Sequence, residues 1–340
     1  MVFPHPRRLH QNSSSNMVSY KKFVIALGLA TQMVMGQRPM NESICDYYTT
    51  ALLMNNTAAN QMTLLTLVVN TAVIGNYTQP NVGIMVPGIL ASGQMQEGVP
   101  IDLLKYFNGS LMSTNVGGNP RSVNFLDDGG AAPLMMNKPA NGNSSAQYFL
   151  LTHLYQYFGA LLGCSMQGTG GVFSGYQGDP SQYQIHKFMN LSKPEMDYFI
   201  TQVGLSAASF GVATSDVEAV GMALNDTFNM RCSPPTVVIP AQGSQLQAIC
   251  INPDCPLASG AVCAQYEMAA TMSASAMSSG ASMSGTAGAS MTGSMGSGTS
   301  GSAAAGSVPA NGGTSVGSSV SVTWGLFTAA IFCVVGAALV

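Results

Sequence analysis

The sequence predicts a mainly α-helical extracellular domain with a long loop insertion, a disulfide-stapled strap and a disordered Ser/Gly-rich stalk. Three observations support this prediction. Apolar residues recur at helical spacing over Ala146–Cys164, and two more periodic segments follow the capping-box sequences that begin at Ser192 and Ser215. Between Gln79 and Gly142 the chain is instead rich in Gly, Pro and Asn, which is typical of ordered loops. From residue 269 onwards Ser, Gly, Ala, Met and Thr replace almost every other residue type.

Composition limits the partners of the chain. Only 7% of the 340 residues are charged, and the formal net charge is −3. Nucleic-acid binding requires a basic surface, so this composition indicates no nucleic-acid partner. Seven Asn-x-Ser/Thr sequons lie after residue 36 and can instead hydrate the surface through glycans, which are added only to secreted chains. The predicted glycosylation sites are Asn41, Asn55, Asn76, Asn108, Asn143, Asn190 and Asn225.

The cysteines also indicate a secreted chain. Six of the seven lie before the stalk, and the seventh, Cys333, lies in the apolar C-terminal tail. An even set in a secreted chain predicts three disulfides, although the sequence does not choose among the possible pairings. No Cys-x2-Cys pair is present, which disfavours a zinc site. The predicted disulfide cysteines are Cys45, Cys164, Cys232, Cys250, Cys255 and Cys263.

Residues 1–36 have the pattern of a signal peptide. Lys21 and Lys22 precede an apolar run that ends in small residues at Gly36, which predicts cleavage before Gln37. The alternative is an uncleaved membrane anchor, but the run is short for a span. We therefore expect the folded extracellular domain to comprise residues 37–268.

The C-terminal part has the pattern of a tether. Residues 269–311 lack the apolar residues that a core needs, so they predict a disordered stalk. Residues 312–340 end in the apolar run Val320–Val340, which follows small residues and a polar spacer and lacks a basic flank. This pattern predicts a GPI-attachment signal with the anchor at Asn311. The alternative is a tail-anchored transmembrane helix.

Two helical regions precede residue 165. Cys45–Asn76 is periodic, with Asn56 or Thr57 as a cap and Gly75 as a stop. In Ala146–Cys164 we expect one inward-facing stripe, formed by Leu150, His153, Leu154, Tyr157 and Leu161. Between these regions, Asp127 and Asp128 allow two interpretations, a cation site or a capped turn, of which the turn is favoured because adjacent carboxylates point apart.

Two capped helices follow. Ser192-Lys-Pro-Glu195 is a capping box, and the helix after it should bury Met196, Phe199, Ile200, Val203, Ala207 and Phe210 before Gly211 ends it. Ser215-Asp-Val-Glu218 predicts a second capping box. Its helix should present Val217, Val220, Gly221, Leu224 and Phe228 to the core.

After the predicted signal peptide the chain holds only two histidines, His153 and His186. His153 begins the segment HLYQYFGALLGC, and Tyr176-Gln-Gly178 lies shortly before His186. After His186 come the capped turn at Ser192 and a Phe-containing helix that ends in Gly-Val. In this order the stretch resembles the truncated haemoglobins, which have a two-over-two globin fold. The likeness is specific from the distal helix onwards and weaker upstream, where the long connection departs from the family.

The resemblance implies a haem between two axial ligands. His186 matches the proximal histidine of the family, and His153 matches a distal-helix position that coordinates iron in some members. The residues implied as apolar contacts to the haem are Tyr106, Phe107, Leu150, Leu154, Tyr157, Tyr183, Phe199 and Val203. The alternative is a globin-like fold without haem, in which both histidines belong to the core.

The implied function is gas binding, gas sensing or redox chemistry with NO, O2 or peroxide at the cell surface. The partner would be a diatomic ligand or a separate redox protein, and whether the protein is an enzyme stays open. The alternative function is a GPI-anchored structural or adhesive wall glycoprotein that contacts cell-wall polysaccharide. A hydrolase is disfavoured because residues 37–268 contain no Gly-x-Ser-x-Gly elbow, and the one match in the sequence, Gly313–Gly317, lies in the predicted GPI-attachment signal.

Overall fold

A computed structural model of the chain describes residues 37–78 and 81–268, and it confirms a mainly helical domain. The predicted signal peptide at 1–36, the stalk at 269–311, the segment 312–340 and Asn311 lie outside the described residues. The α-helices are α1 (Ile44–Leu53), α2 (Ala58–Ile74), α3 (Leu104–Phe107), α4 (Ala131–Met135), α5 (Ala146–Leu161), α6 (Gln182–His186), α7 (Lys193–Ser209) and α8 (Thr214–Phe228).

Helix α2 is central to the fold. It packs against α1, α4, α5 and α7, and buried residues lie around its circumference, as expected of a core helix. The helix begins at Thr57, whose Oγ1 accepts a hydrogen bond from the Asn60 N–H at 3.2 Å, and it ends at Gly75. The predicted cap at Thr57 and the predicted stop at Gly75 are therefore confirmed.

The predicted helical region Cys45–Asn76 is two helices, not one. Helix α1 ends at Leu53, and Met54 then adopts a positive φ of 70°, which a continuing helix does not allow. The axes of α1 and α2 are bent by 94°. No single helix in the described ranges is long and apolar enough to cross a membrane, and only α1 and α2 taken together, across this bend, reach that length and composition.

The chain crosses itself closely after α2. Gly88 has a φ of 93°, and a Cβ at this position would lie 2.3 Å from the backbone nitrogen of Gly75. Because neither residue has a side chain, the N–H groups of Ile89 and Leu90 reach the carbonyls of Ala72 and Val73. The glycines thus join the start of the loop insertion to the central helix.

The loop insertion contains two β-hairpins that the sequence analysis missed. Strand β1 (Gln94–Gln96) pairs with β2 (Val99–Ile101), and β3 (Thr114–Val116) pairs with β4 (Asn119–Arg121). Their two-residue turns place both central residues at positive φ, namely Glu97-Gly98 and Gly117-Gly118. A Gly-Gly pair between short strands is a known signal of such a turn, so the second hairpin could have been predicted.

The Asp pair before α5 forms a capped turn, as the favoured interpretation predicted. The Asp127 carboxylate accepts hydrogen bonds from the N–H groups of Ala146 and Gln147 at 3.1 and 2.9 Å. The Asp128 carboxylate accepts one from the Gly142 N–H at 2.7 Å. Asp127 therefore satisfies free backbone donors at the start of α5, which is also capped by Ser145, while Asp128 holds the loop that precedes the helix.

The buried face of α5 is displaced from the predicted stripe. Leu150, His153, Leu154 and Leu161 are only half-buried, while Tyr157 is buried as predicted. The displacement arises because two polar side chains of α5 find hydrogen-bond partners inside the core. The Tyr155 hydroxyl donates to Asn70 Oδ1 at 2.6 Å, and the Gln147 amide bonds backbone groups of the preceding loop. The fully buried residues of α5 are Gln147, Leu151, Tyr155, Tyr157, Phe158 and Gly159.

Helices α7 and α8 pack against each other, and α7 also packs against α2. The predicted capping box is confirmed, since the Ser192 N–H donates to the Glu195 carboxylate at 2.8 Å. Met196, Val203 and Phe210 are buried as predicted, whereas Phe199 and Ile200 are half-buried. Gly211 has a positive φ of 85° and follows the end of α7.

The second predicted capping box, at Ser215, is wrong. Helix α8 begins at Thr214 after Ala213, and no side chain caps it. Asp216 is instead buried in a cluster that joins distant parts of the chain, because it accepts from the Arg38 guanidinium at 3.0 Å and from the Tyr48 hydroxyl at 2.8 Å. The predicted inward face of α8 is confirmed, with Val217, Gly221, Leu224 and Phe228 buried.

Six cysteines form three disulfides, as predicted: Cys45–Cys164, Cys232–Cys263 and Cys250–Cys255. The last two lie in the predicted strap, which comprises Cys232–Cys263. The strap is attached to the helical body because the N–H groups of Ile249 and Cys250 both donate to the carbonyl of Phe228. A second apolar cluster beneath it contains Tyr183, Cys232, Ala248 and Tyr266.

Candidate functional site

His153 lies near the middle of α5 and is half-buried among aromatic rings. Its ring centroid lies 6.4 Å from that of Phe149 and 5.8 Å from that of Tyr176. Neither ring nitrogen makes a hydrogen bond to another of the described residues. Burial lowers the pKa of His153 from its ordinary value of 6.5, which keeps the imidazole neutral and its lone pair available at neutral pH.

His186 is the last residue of the single-turn helix α6. Its Nδ1 lies 2.8 Å from the carbonyl oxygen of Gln182, one helical turn earlier. Because a carbonyl only accepts, this bond places the proton on Nδ1 and leaves the Nε2 lone pair for another partner. Burial lowers the pKa of His186, and the bond to the Gln182 carbonyl opposes that shift in part.

Tyr176 connects the segments that carry the two histidines. Its ring lies 5.8 Å from His153 and 5.3 Å from Tyr157, and its hydroxyl lies 3.4 Å from Gln182 Nε2. The spacing Tyr-x-Gly has a steric reason, because a Cβ at Gly178 would lie 2.3 Å from the Tyr176 hydroxyl oxygen. Gly178 thus allows the Tyr176 side chain to fold over the backbone between the two histidine segments.

Gln247, from the strap, holds α5 and α6 together. Its Oε1 accepts from the Tyr157 hydroxyl at 3.0 Å and from the Gln182 N–H at 3.3 Å, and its Nε2 donates to the Pro180 carbonyl at 2.9 Å. Sequence reasoning missed this residue because nothing local marks a glutamine 65 positions from its partner. We call the connected group the histidine site, which comprises His153, Tyr157, Tyr176, Gln182, His186 and Gln247.

The predicted haem contacts do not form one pocket in the structure. Leu154, Phe199 and Val203 line an apolar cavity of about 60 Å³ between α1, α2, α5, α7 and α8, and neither histidine is among its lining residues. Tyr183 belongs to the cluster under the strap, where its hydroxyl donates to the Tyr266 carbonyl at 2.9 Å. Tyr106 is buried with its hydroxyl 3.4 Å from Glu195, and Phe107 and Leu150 are half-buried against the main core.

The sequons lie where glycans can be attached. Six of the seven asparagines are exposed (Asn41, Asn55, Asn76, Asn108, Asn143 and Asn190), and Asn225 is half-buried. In four sequons the hydroxyl residue is also the N-cap of a helix: Ser43, Thr57, Ser145 and Ser192. Each of these four asparagines therefore lies two residues before the N-cap of a helix.

The two lowered histidine pKa values predict acid sensitivity. A base whose pKa is lower in the folded than in the unfolded state binds fewer protons when folded, so its burial favours unfolding as the pH falls below about 6.5. We expect the denaturant midpoint of the haem-free protein to fall between pH 7.5 and 5.5. The double variant His153→Gln, His186→Gln should show a flatter dependence, and an unchanged slope would contradict the prediction.

Across residues 37–78 and 81–268, no group of three or more His, Cys, Asp or Glu side chains is placed to hold a metal ion. The histidine site therefore offers two imidazoles rather than a cluster of ligands, which is the donor set of an axially coordinated iron. Comparison with protein-family models, with curated proteins and with solved structures found no match. The likeness to truncated haemoglobins therefore rests on the motifs quoted from the sequence.

Proposed function

We propose that this chain is a cell-surface haem-binding protein of globin-like fold, with His186 as the proximal ligand and His153 as the second axial ligand. The observation that carries the proposal is the 2.8 Å contact between His186 Nδ1 and the Gln182 carbonyl. Histidines that ligate metals usually donate the other ring N–H to a carbonyl or carboxylate, which fixes the ring and its tautomer. His186 has this arrangement on a helix that Asn115 and the strap hold in place.

The residues present fit a haem as donors. Both imidazoles are favoured in the neutral form by burial, and the contacts through Tyr176 place them in one part of the fold. The site for the haem is the histidine site rather than the apolar cavity, because the cavity has no histidine in its lining. When bound, haem supplies reversible binding of a diatomic ligand or one-electron redox chemistry.

The packing of the helices supports the globin-like part of the proposal. Helix α2 packs on α5 and α7 packs on α8, and contacts between α2 and α7 join the two pairs. Two helix pairs of this order are what a two-over-two sandwich requires. The histidine site lies at α5 and at the segment between α5 and α7, which are the positions that the resemblance gives to the distal and proximal ligands.

The extracellular location is part of the same proposal. Three disulfides persist only in an oxidising compartment, and six sequon asparagines are exposed. The terminal segments have the patterns of a signal peptide and a GPI signal, so the domain would be displayed on the plasma membrane or cell wall. There it would meet diffusible gases, peroxide or a redox partner.

The test is a haem titration of the full secreted chain with its glycans. We expect one haem per chain and the sharp visible bands of a six-coordinate, low-spin iron with two histidine ligands. The control is the double variant His153→Gln, His186→Gln. It measures the haem that binds without either histidine, for example to the Met-rich stalk. Equal haem uptake by the parent and the double variant would overturn the proposal.

One observation favours a second function, a structural or adhesive wall glycoprotein with a haem-free fold. Tyr176 and Gln182 already make contacts between the histidine segments, and the apolar cavity lacks both histidines. In that case the titration would show no specific haem, and the chain would instead sediment with insoluble wall polysaccharide. Retention on polysaccharide by haem-free protein, with release by the soluble sugar, would support this alternative.

A further inference from the structure

Methionine dominates the exposed apolar surface of the domain. Fifteen large apolar side chains are exposed in the described part of the chain, and nine of them are methionines. Methionine is normally among the residue types most often buried, whereas here most of the methionines in the described residues are exposed. The nine exposed methionines are Met40, Met54, Met85, Met95, Met112, Met135, Met136, Met222 and Met268.

The exposure is specific to methionine and does not follow apolar character in general. No isoleucine in residues 37–78 and 81–268 belongs to the exposed set, and the other exposed apolar residues are three valines, two leucines and one phenylalanine. Met54 and Met85 are 84% and 81% exposed, whereas Met196 is the one methionine of these ranges in the buried core, at 2%. A surface that merely tolerated apolar groups would not select one residue type so strongly.

The exposed methionines are distributed rather than gathered on one element. Met54 follows α1, Met95 lies in β1, Met135 and Met136 end α4, and Met222 lies on α8. Beyond the described residues the sequence holds five more methionines, namely Met272, Met277, Met283, Met291 and Met295. A single docking face would concentrate such residues, so the distribution favours chemistry at individual thioethers over binding of one partner.

We propose that these methionines consume two-electron oxidants, namely hydrogen peroxide and hypochlorous acid, at the cell surface. With peroxide, the O–O bond breaks and one oxygen atom is transferred to the thioether sulfur. The sulfur is oxidised by two electrons to the sulfoxide, and the remaining oxygen leaves as water with both hydrogens of the peroxide. With hypochlorous acid the same sulfoxide forms, and the leaving groups are chloride and a proton.

The structure accommodates this reaction without loss of the fold. A sulfoxide is polar, so in a core it disrupts packing, but at an exposed position its oxygen faces water. Met196, which packs in the main core, is shielded from the oxidant by its burial. The activity requires neither histidine and is therefore independent of the proposed haem function.

The first test titrates the full secreted chain with hypochlorous acid and maps each methionine by mass spectrometry. The nine exposed methionines should gain oxygen first and Met196 last. Circular dichroism and the denaturant midpoint should stay unchanged until the exposed set is consumed. Unfolding that accompanies oxidation of the exposed set would overturn the proposal, because a sacrificial surface must survive its own reaction.

The second test measures protection. An active enzyme that hypochlorous acid can inactivate is mixed with the parent chain or with a variant in which the nine exposed methionines are replaced by leucine. Hypochlorous acid is then added, and the remaining enzyme activity is measured. Protection per chain should fall about twofold in this variant, because it lacks nine of the 19 methionines that follow residue 36. The matched control replaces the half-buried Met62, Met166, Met189 and Met230 with leucine and should protect nearly as well as the parent. Equal protection by the parent and the nine-site variant would overturn the proposal.

Display on cells gives the third readout. Cells that carry the nine-site variant should lose viability at lower doses of hypochlorous acid than cells that carry the parent at equal surface density. The sulfoxide content of the parent recovered from those cells should rise with dose. Identical survival curves would show that the thioethers react without protecting the cell, which contradicts the proposed role.

Discussion

The His186→Ala variant should lose specific haem binding altogether. After the predicted signal peptide the sequence holds only His153 besides His186, so no third imidazole can replace the proximal ligand. Alanine also removes the ring whose Nδ1 contacts the Gln182 carbonyl at the last residue of the single-turn helix α6. The measurement is haem stoichiometry by absorbance after gel filtration.

The His153→Ala variant is the matched control. Unlike His186→Ala, it should keep haem but change the absorption spectrum. His186 still holds the iron, so haem stays bound, but the sixth position opens. The spectrum should change to that of a five-coordinate or water-bound iron, and affinity for added cyanide or carbon monoxide should rise. If both single variants bind haem with the spectrum of the parent, the assignment of axial ligands is wrong. Thermal unfolding of each haem-free variant separates loss of a ligand from loss of the fold.

The parts of this fold that the sequence predicts are those set by local chemistry. Thr57 and Ser192 precede helices because hydrogen bonds at these residues satisfy backbone N–H groups that have no partner inside the helix. Each of these bonds joins residues only three positions apart. Gly75 ends α2 for a reason equally local, a positive φ that glycine adopts without strain. The Asp127 cap differs from these, because its carboxylate accepts from N–H groups 19 and 20 positions later in the chain.

The predictions that failed depend on distant partners. The predicted box at Ser215 is locally sound, but α8 starts two residues earlier than this cap predicts, and Asp216 bonds Arg38, which is 178 positions away. In the same way, the buried face of α5 is set by Tyr155 reaching Asn70, 85 positions earlier in the chain. Helical periodicity is read from the apolar residues alone. It therefore does not predict the burial of a polar side chain whose hydrogen-bond partner lies far away in the sequence.

The candidate site was only partly predictable for the same reason. His153 and His186 stand out in the sequence by scarcity, and Tyr176-Gln-Gly178 by its spacing. The contacts that connect them come from Gln182 and Gln247, and neither glutamine stands in a local motif that would mark it. Cysteine counting likewise gives three disulfides but not their pairing, because pairing depends on which segments meet in space.

Removal of the Cys45–Cys164 disulfide should have the largest effect on stability. The bridge joins the first turn of α1 to the segment after α5 across 119 positions of the sequence, and both cysteines are buried in the main core. Closing a loop of this length restricts the unfolded chain strongly, and the expected loss is about 5 kcal/mol. A loss of this size equals much of the stability of an ordinary domain, so secretion should also fall.

The experiment compares the Cys45→Ala, Cys164→Ala variant with the Cys250→Ala, Cys255→Ala variant. Alanine is chosen because a serine hydroxyl at either buried site would lack an assured hydrogen-bond partner. The second bridge is buried too, but it closes a separation of only five residues, for which the same relation gives about 2 kcal/mol. Because burial is similar and loop length differs, denaturant unfolding should rank the two losses by loop length. Equal losses would show that packing of the sulfur atoms, and not restriction of the unfolded chain, determines what each bridge contributes.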